Sequence, residues 1–189
     1  MTAQTLHGIK VAILVADGFE QVELVKPKAA LEEAGAATTL VSPQQDQVRG
    51  WNHHDPADAF AVDQPLARAR AEDFDALLLP GGVVNPDALR IDEQAVAFVR
   101  AFEQAGKPIA AICHGPWTLI EAGVAAGKRM TSWPSLKSDL SNAGANWVDE
   151  TVVVDGLLVT SRNPGDIPAF NREMVRVFGQ ATAADAAGR

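Results

Sequence analysis

The chain has 189 residues, 47% of them hydrophobic, which suits one globular domain with a substantial core and excludes an extended disordered protein. A formal charge of −8 argues against nucleic-acid backbones and anionic membranes as partners, and a single cysteine excludes an internal disulfide framework. Residues 1–8 lack a basic start followed by an apolar core, and no apolar run approaches the ~20 residues of a membrane helix, so a cytoplasmic location is expected.

Residues 9–15 (I-K-V-A-I-L-V) are continuous and β-branched, the pattern of a strand buried on both faces of a parallel sheet. A turn at Ala16-Asp17-Gly18 leads into a predicted helix over 19–34, with Val22, Leu24, Val25 and Leu31 as its apolar positions and Pro27 as a kink or a new first turn. Residues 37–41 form the next strand and complete a β-α-β unit with a right-handed crossover. Residues 47–51 and 59–62 read as short strands, a hairpin around Asn52-His53-His54-Asp55-Pro56. The adjacent histidines do not make a metal site: neighbours on an extended chain face opposite ways, and no second cluster completes a ligand set. They read as a solvated polar turn, and no metal is expected.

Residues 74–79 (F-D-A-L-L-L) form another buried strand that ends at Pro80-Gly81-Gly82. A helix within 86–106 follows, with Val96, Phe98, Val99 and Phe102 as its stripe and Asp92-Glu93 as an acidic first turn. Residues 107–117 (K-P-I-A-A-I-C-H-G-P-W) then predict strand, sharp turn and helix, with Cys113 on the turn and Pro116 at the first helical position. The helix covers 115–122. Beyond it, 130–133 is a short strand, 135–142 a short helix, and 147–154 and 157–160 two strands joined at Asp155-Gly156. Residues 164–179 are the last helix, and 180–189 an Ala-rich tail expected to fray. The alternation gives an α/β sandwich with a mostly parallel sheet, whose ligands bind outside the carboxyl ends of the strands.

Three turns at such ends carry chemistry: 16–20, 80–87 and 113–115. Cys113 is the candidate nucleophile or oxidisable thiol, and a helix N-terminus after it would favour thiolate. A protonated Glu20 would stabilise that thiolate, although an acid at a helix start is an equally good reading. His114 is the candidate base and needs an orienting acid; Asp87 is available in the second turn, where it also fits a helix start. The N–H groups of Gly81-Gly82 could join that of His114 around an oxyanion.

The stretches A-D-G-F-E-Q-V-E-L (16–24), L-P-G-G-V-V-N-P-D-A-L-R (79–90) and A-I-C-H-G-P (111–116) resemble the PfpI family of the ThiJ/PfpI superfamily. N-A-G-A-N-W-V-D (142–149), V-V-V-D-G (152–156) and T-S-R-N-P-G-D (160–166) extend the resemblance over nearly the whole chain. It implies a flavodoxin-like three-layer sandwich and a homodimer or hexamer. It also implies Cys113 as nucleophile, Glu20 as the acid bonded to it, and Gly82 and His114 as oxyanion-hole donors. His114 would pair with Asp87 of a neighbouring subunit, so that the site is completed across the interface. Some relatives carry Glu where Asp87 stands, and Tyr where Trp133 stands; this chain has no tyrosine. The activities implied are those of a glyoxalase or deglycase working on methylglyoxal, glyoxal or their adducts without glutathione, or of an intracellular cysteine peptidase. A redox-sensing or chaperone role for an oxidisable Cys113 is an alternative of another class. No cofactor is expected, because the cysteine elbow occupies the crevice a flavin would use.

Overall fold

The computed structural model describes residues 6–187, of which 182–187 by backbone alone. In chain order the first elements are β1 (Lys10–Leu14), β2 (Phe19–Glu20), α1 (Gln21–Glu33), β3 (Ala37–Ser42), β4 (Gln47–Asn52), β5 (Asp55–Ala61), β6 (Gln64–Pro65) and β7 (Ala76–Leu79). Then come α2 (Val84–Arg90), α3 (Glu93–Gln104), β8 (Ile109–Ile112), α4 (Pro116–Glu121), β9 (Arg129–Met130) and α5 (Lys137–Asn142). The chain finishes with β10 (Asn146–Trp147), β11 (Val152–Asp155), β12 (Leu158–Ser161) and α6 (Ile167–Ala187).

Seven strands form the main sheet in the order β11-β12-β8-β7-β1-β3-β6. All its neighbours run parallel except β11, which turns back on β12 through Asp155-Gly156. Because side chains alternate across a strand, each central strand feeds two cores. Ala12, Leu14, Leu77, Leu79, Ile109 and Ala111 meet Phe98, Val99 and Phe102 of α3 and Leu119 of α4 on one face. Val11, Ile13, Ala76, Leu78, Ala110 and Ile112 meet Leu24 and Leu31 of α1 and Phe170, Met174 and Phe178 of α6 on the other. Helices thus cover both faces, the three-layer sandwich expected.

The differences from the sequence reading have local causes. The helix within 86–106 is two helices: the chain breaks at Ile91, and Asp92 caps α3 by accepting from the N–H groups of Gln94 and Ala95 at 2.8 and 3.1 Å. Residues 19–20 pair with β4 before α1 begins, and α1 runs through Pro27 without interruption. Residues 132–133 leave β9 because the Trp133 N–H bonds to the Cys113 carbonyl at 2.9 Å instead of to a strand. At the C-terminus, α6 continues to Ala187, so the predicted fray over 180–187 is replaced by helix; residues 188–189 lie outside the described residues. Among the described residues no helix is long and apolar enough to cross a membrane.

Candidate active site

The ends of β1, β7 and β8 bring the three turns together. Gly115 N–H bonds back to the Ile112 carbonyl at 2.9 Å, and to make that turn Cys113 takes φ 62, a left-handed conformation that non-glycine residues seldom hold. Gly115 itself must be glycine: a Cβ there would stand 2.6 Å from the Leu79 carbonyl oxygen. The elbow is therefore a strained one, built against the end of β7.

The acid at the sulfur is Glu23, not Glu20. Glu23 is fully buried, and its Oε2 accepts the Gly81 N–H at 2.9 Å. Its carboxyl lies against the Cys113 thiol, and Oε1 has no nitrogen or oxygen hydrogen-bond partner among the described residues. Burial, with no cation beside it, pushes its pKa up to about 8, so the carboxyl is largely protonated at neutral pH. Glu20 lines the same cavity without reaching the sulfur: it precedes α1 without capping it, and its Oε2 accepts the His53 N–H at 3.0 Å. Glu23, Pro27 and Leu31 fall at i, i+4 and i+8, a spacing visible in the sequence, but it is the packing of α1 that makes them, with Leu24, its buried stripe. Val25, one of the apolar positions of the predicted helix, is 41% exposed.

Cys113 is buried, and burial raises its pKa well above the ordinary thiol value; Glu23, when ionised, pushes the same way. The N–H groups of Gly82 and His114 bond to the sulfur and pull the pKa down, but less strongly. The expected thiolate-favouring helix field is outweighed, because α4 has only six residues and starts three positions later. At rest the pair is a thiol beside a carboxylic acid.

His114 Nδ1 stands 3.2 Å from Cys113 Sγ, and its Nε2 faces Ser135 Oγ at 3.5 Å. Burial lowers its pKa to about 4, so the ring is neutral at pH 7 and has a lone pair to offer. Trp133 stacks on it at 5.7 Å between centroids and Trp117 meets it edge-on at 5.3 Å, fixing the plane of the imidazole. Asp87 sits exposed in the first turn of α2, and no hydrogen bond joins it to His114 within the chain. Gly82 (φ 77) is held at the other side of the sulfur, where a Cβ would stand 2.5 Å from the Gly18 carbonyl oxygen.

Asn85, fully buried, joins two of the turns: its Oδ1 accepts the Ala16 N–H at 2.7 Å, and its Nδ2 donates to the carbonyls of Pro80 and Gly81 at 3.0 and 2.9 Å. A cavity of about 230 Å³ opens above the sulfur. Trp133 and Pro164 form part of its wall, and His53 and His54 of the β4–β5 turn line it as well. His53 and His54 form an exposed polar turn, as expected, and the structure adds that they line the rim of this cavity, because β4 pairs with β2 and brings the hairpin tip to the site. Among the described residues no cluster of three or more His, Cys, Asp or Glu is arranged to hold a metal ion. Larger hollows beside Arg49 and beside Phe98 are lined by neither Cys113 nor His114; the first adjoins Asp17 of the turn after β1, and the second lies against α3.

Comparison with known proteins agrees with this geometry. The sequence profile of the DJ-1/PfpI family matches residues 9–177. The chain is 43% identical to "Deglycase TK1284" of Thermococcus kodakarensis over 90% of its own length and 99% of the relative's. It is 42% identical to "Putative cysteine protease YraA" of Bacillus subtilis, covering 89% of this chain and 98% of that one. Among solved structures, Drosophila melanogaster DJ-1beta superposes with a TM-score of 0.81 at 32% identity, covering 95% of this chain and 96% of that one. A strained cysteine elbow at the end of a parallel strand, in a sandwich of this topology and with these relatives, places the chain in the DJ-1/PfpI family.

Proposed function

We propose that the protein is a cysteine-dependent glyoxalase or deglycase that acts on methylglyoxal or glyoxal and their adducts without glutathione. The observation that carries the reading is the protonated, buried Glu23 carboxyl against the Cys113 thiol, with neutral His114 Nδ1 3.2 Å from the same sulfur. His114 takes the thiol proton as the sulfur adds to the aldehyde carbon, and the oxygen that gains charge lies within reach of the Gly82 and His114 N–H groups. The hemithioacetal so formed holds the former aldehyde hydrogen next to a ketone. Moving that proton from the first carbon to the second, through an enediol, leaves a thioester and a new hydroxyl. Water then cleaves the thioester, giving the hydroxy acid and restoring the thiol. Atoms balance as methylglyoxal plus water giving lactate, with no external oxidant.

The deglycase name of the Thermococcus relative supports this reading. Incubation with methylglyoxal, without glutathione, should show aldehyde loss matched by lactate, and Cys113→Ser should abolish both. We further propose that Asp87 orients His114 Nε2 from a neighbouring subunit, so Asp87→Ala should lower turnover roughly 10²-fold without changing the assembly's size. Aldehyde loss that stops at one equivalent per chain would mean that the thiol reacts but does not turn over.

A second reading is favoured by the name of the Bacillus relative, a cysteine protease. Cleavage of an unfolded protein by enzyme that leaves methylglyoxal untouched would reverse the order. The volume of about 230 Å³ above Cys113 suits the small aldehyde.

A further inference from the structure

The β4–β5 hairpin is tied down at its tip and along one strand. Glu20 Oε2 accepts the His53 N–H, and Gln21 bonds Asp58 reciprocally, Nε2 donating to Oδ2 and Oε1 accepting the Asp58 N–H, both at 2.8 Å. His53 itself is held at φ 56, one of only two non-glycine residues with positive φ among the described residues; the other is Cys113. A left-handed histidine at a two-residue turn costs free energy that Asn or Gly there would avoid. The strain is local, and its effect is to set both imidazoles at the cavity that holds the sulfur.

From this we infer that His53 and His54 are specificity-determining residues: they bind a hydroxyl or similar hydrogen-bonding group beyond the reactive carbonyl of a ligand joined to Cys113, and Glu20 is the positioning residue that holds them there. The inference rests on the aldehyde reading above. A cavity of about 230 Å³ admits a molecule of a few carbons, so a ligand bonded to the sulfur reaches the hairpin that lines the same space. Near the sulfur the carboxyl, imidazole and two N–H groups are committed to the reacting carbon and its oxygen. The hairpin imidazoles, whose ring nitrogens can hydrogen-bond a hydroxyl, are left for the far end of the ligand. The class favoured is therefore short hydroxylated 2-oxoaldehydes and the adducts that carry such hydroxyls, over purely alkyl ones.

The test compares methylglyoxal with 3-hydroxy-2-oxopropanal, which differs by one hydroxyl. The kcat/KM for 3-hydroxy-2-oxopropanal divided by that for methylglyoxal should fall roughly threefold to tenfold in the double variant His53→Gly/His54→Ala, the effect of a neutral hydrogen bond or two. Glycine at 53 removes the imidazole without adding backbone strain. Glu20→Ala should lower the ratio similarly, and Glu20→Gln, whose amide oxygen still accepts the His53 N–H, should restore it. A ratio unchanged in these variants, or a loss shared equally by both aldehydes, would overturn the assignment. If neither aldehyde is turned over, the glyoxalase reading fails by itself. The role of His53 and His54 is then decided by how well each aldehyde, as a reversible thiol adduct, protects Cys113 from iodoacetamide in wild type and double variant. Equal protection by the two aldehydes in wild type would sink it.

Discussion

Replacing Glu23 by Gln should abolish most of the activity while stabilising the fold at alkaline pH. In the unfolded chain the carboxyl ionises near its ordinary value of 4.5, whereas in the native protein burial holds the proton until about pH 8. Across that window the native state binds more protons than the unfolded state, so stability falls as pH rises from about 4.5 to about 8. A shift of that size corresponds to roughly 5 kcal/mol, reached once the pH exceeds both values, at about 1.4 kcal/mol per pH unit. Gln keeps the acceptor for the Gly81 N–H and titrates nowhere, so its denaturation midpoint should lack this decline. Urea unfolding of both proteins at pH 5 and pH 8.5 measures it. A difference between them that stays constant with pH would mean that Glu23 is already ionised in the native site.

The catalytic side of the same substitution follows from the proton. Glutamine cannot pass a proton to or from the reacting oxygen, and loss of a positioned acid–base group costs on the order of 10²–10⁴ in rate. In wild type, activity should decline above about pH 8, where Glu23 ionises and its charge opposes the thiolate on the neighbouring sulfur. That alkaline limb should be missing from the residual activity of Glu23→Gln. His114 sets the opposite edge: its proton is bound only near pH 4, so the base remains available through the acidic range in which a free imidazole would be lost.

Gly81→Ala should damage both stability and turnover. The backbone of Gly81 lies outside the left-handed region, so its conformation alone would admit any residue. What forbids alanine is space: the new Cβ would meet Glu23 Oε2 at 2.5 Å, Cys113 Cβ at 2.7 Å and the Ile112 carbonyl oxygen at 2.7 Å. Two of those atoms belong to the strained elbow and the strand beneath it, and the third to a buried carboxyl, so none can step aside cheaply. Overpacking of this kind costs roughly 1–3 kcal/mol. Here it also separates the carboxyl from the sulfur, which should reduce turnover at least 10²-fold by the same acid–base argument. Gly106→Ala is the control. At φ 64 it carries a left-handed penalty of about 1 kcal/mol, yet its Cβ meets nothing within 4 Å, and activity should be untouched. Equal activity losses in the two variants would show that fold stability, and not the Glu23–Cys113 contact, is what Gly81 protects.

The sequence alone determined the sandwich. Residues 9–15, 74–79 and 109–112 are nearly continuous apolar runs, broken only by Lys10 and Asp75, which a sheet covered by helices on both faces can bury, and the structure buries their apolar residues there. It also determined the elbow, because an apolar run that stops at Cys-His and resumes at Gly-Pro allows little besides strand, turn and helix. The pairing of sulfur with its acid was decided by the rotation of α1. Glu20 and Glu23 are three residues apart beside the same turn, and only the burial of Leu24, Pro27 and Leu31 against the sheet turns Glu23 inward and leaves Glu20 for the hairpin. The protonation states were likewise beyond the sequence: a helix start after Cys113 argues for thiolate, but desolvation is a property of the assembled site and it prevails. His53 and His54, about 60 residues from Cys113 along the chain, reach the cavity only because β4 pairs with β2. Local pattern fixes which elements form and which faces they bury; which side chains meet at the strand ends depends on helix phase and strand pairing, and those are settled by packing across the whole sheet.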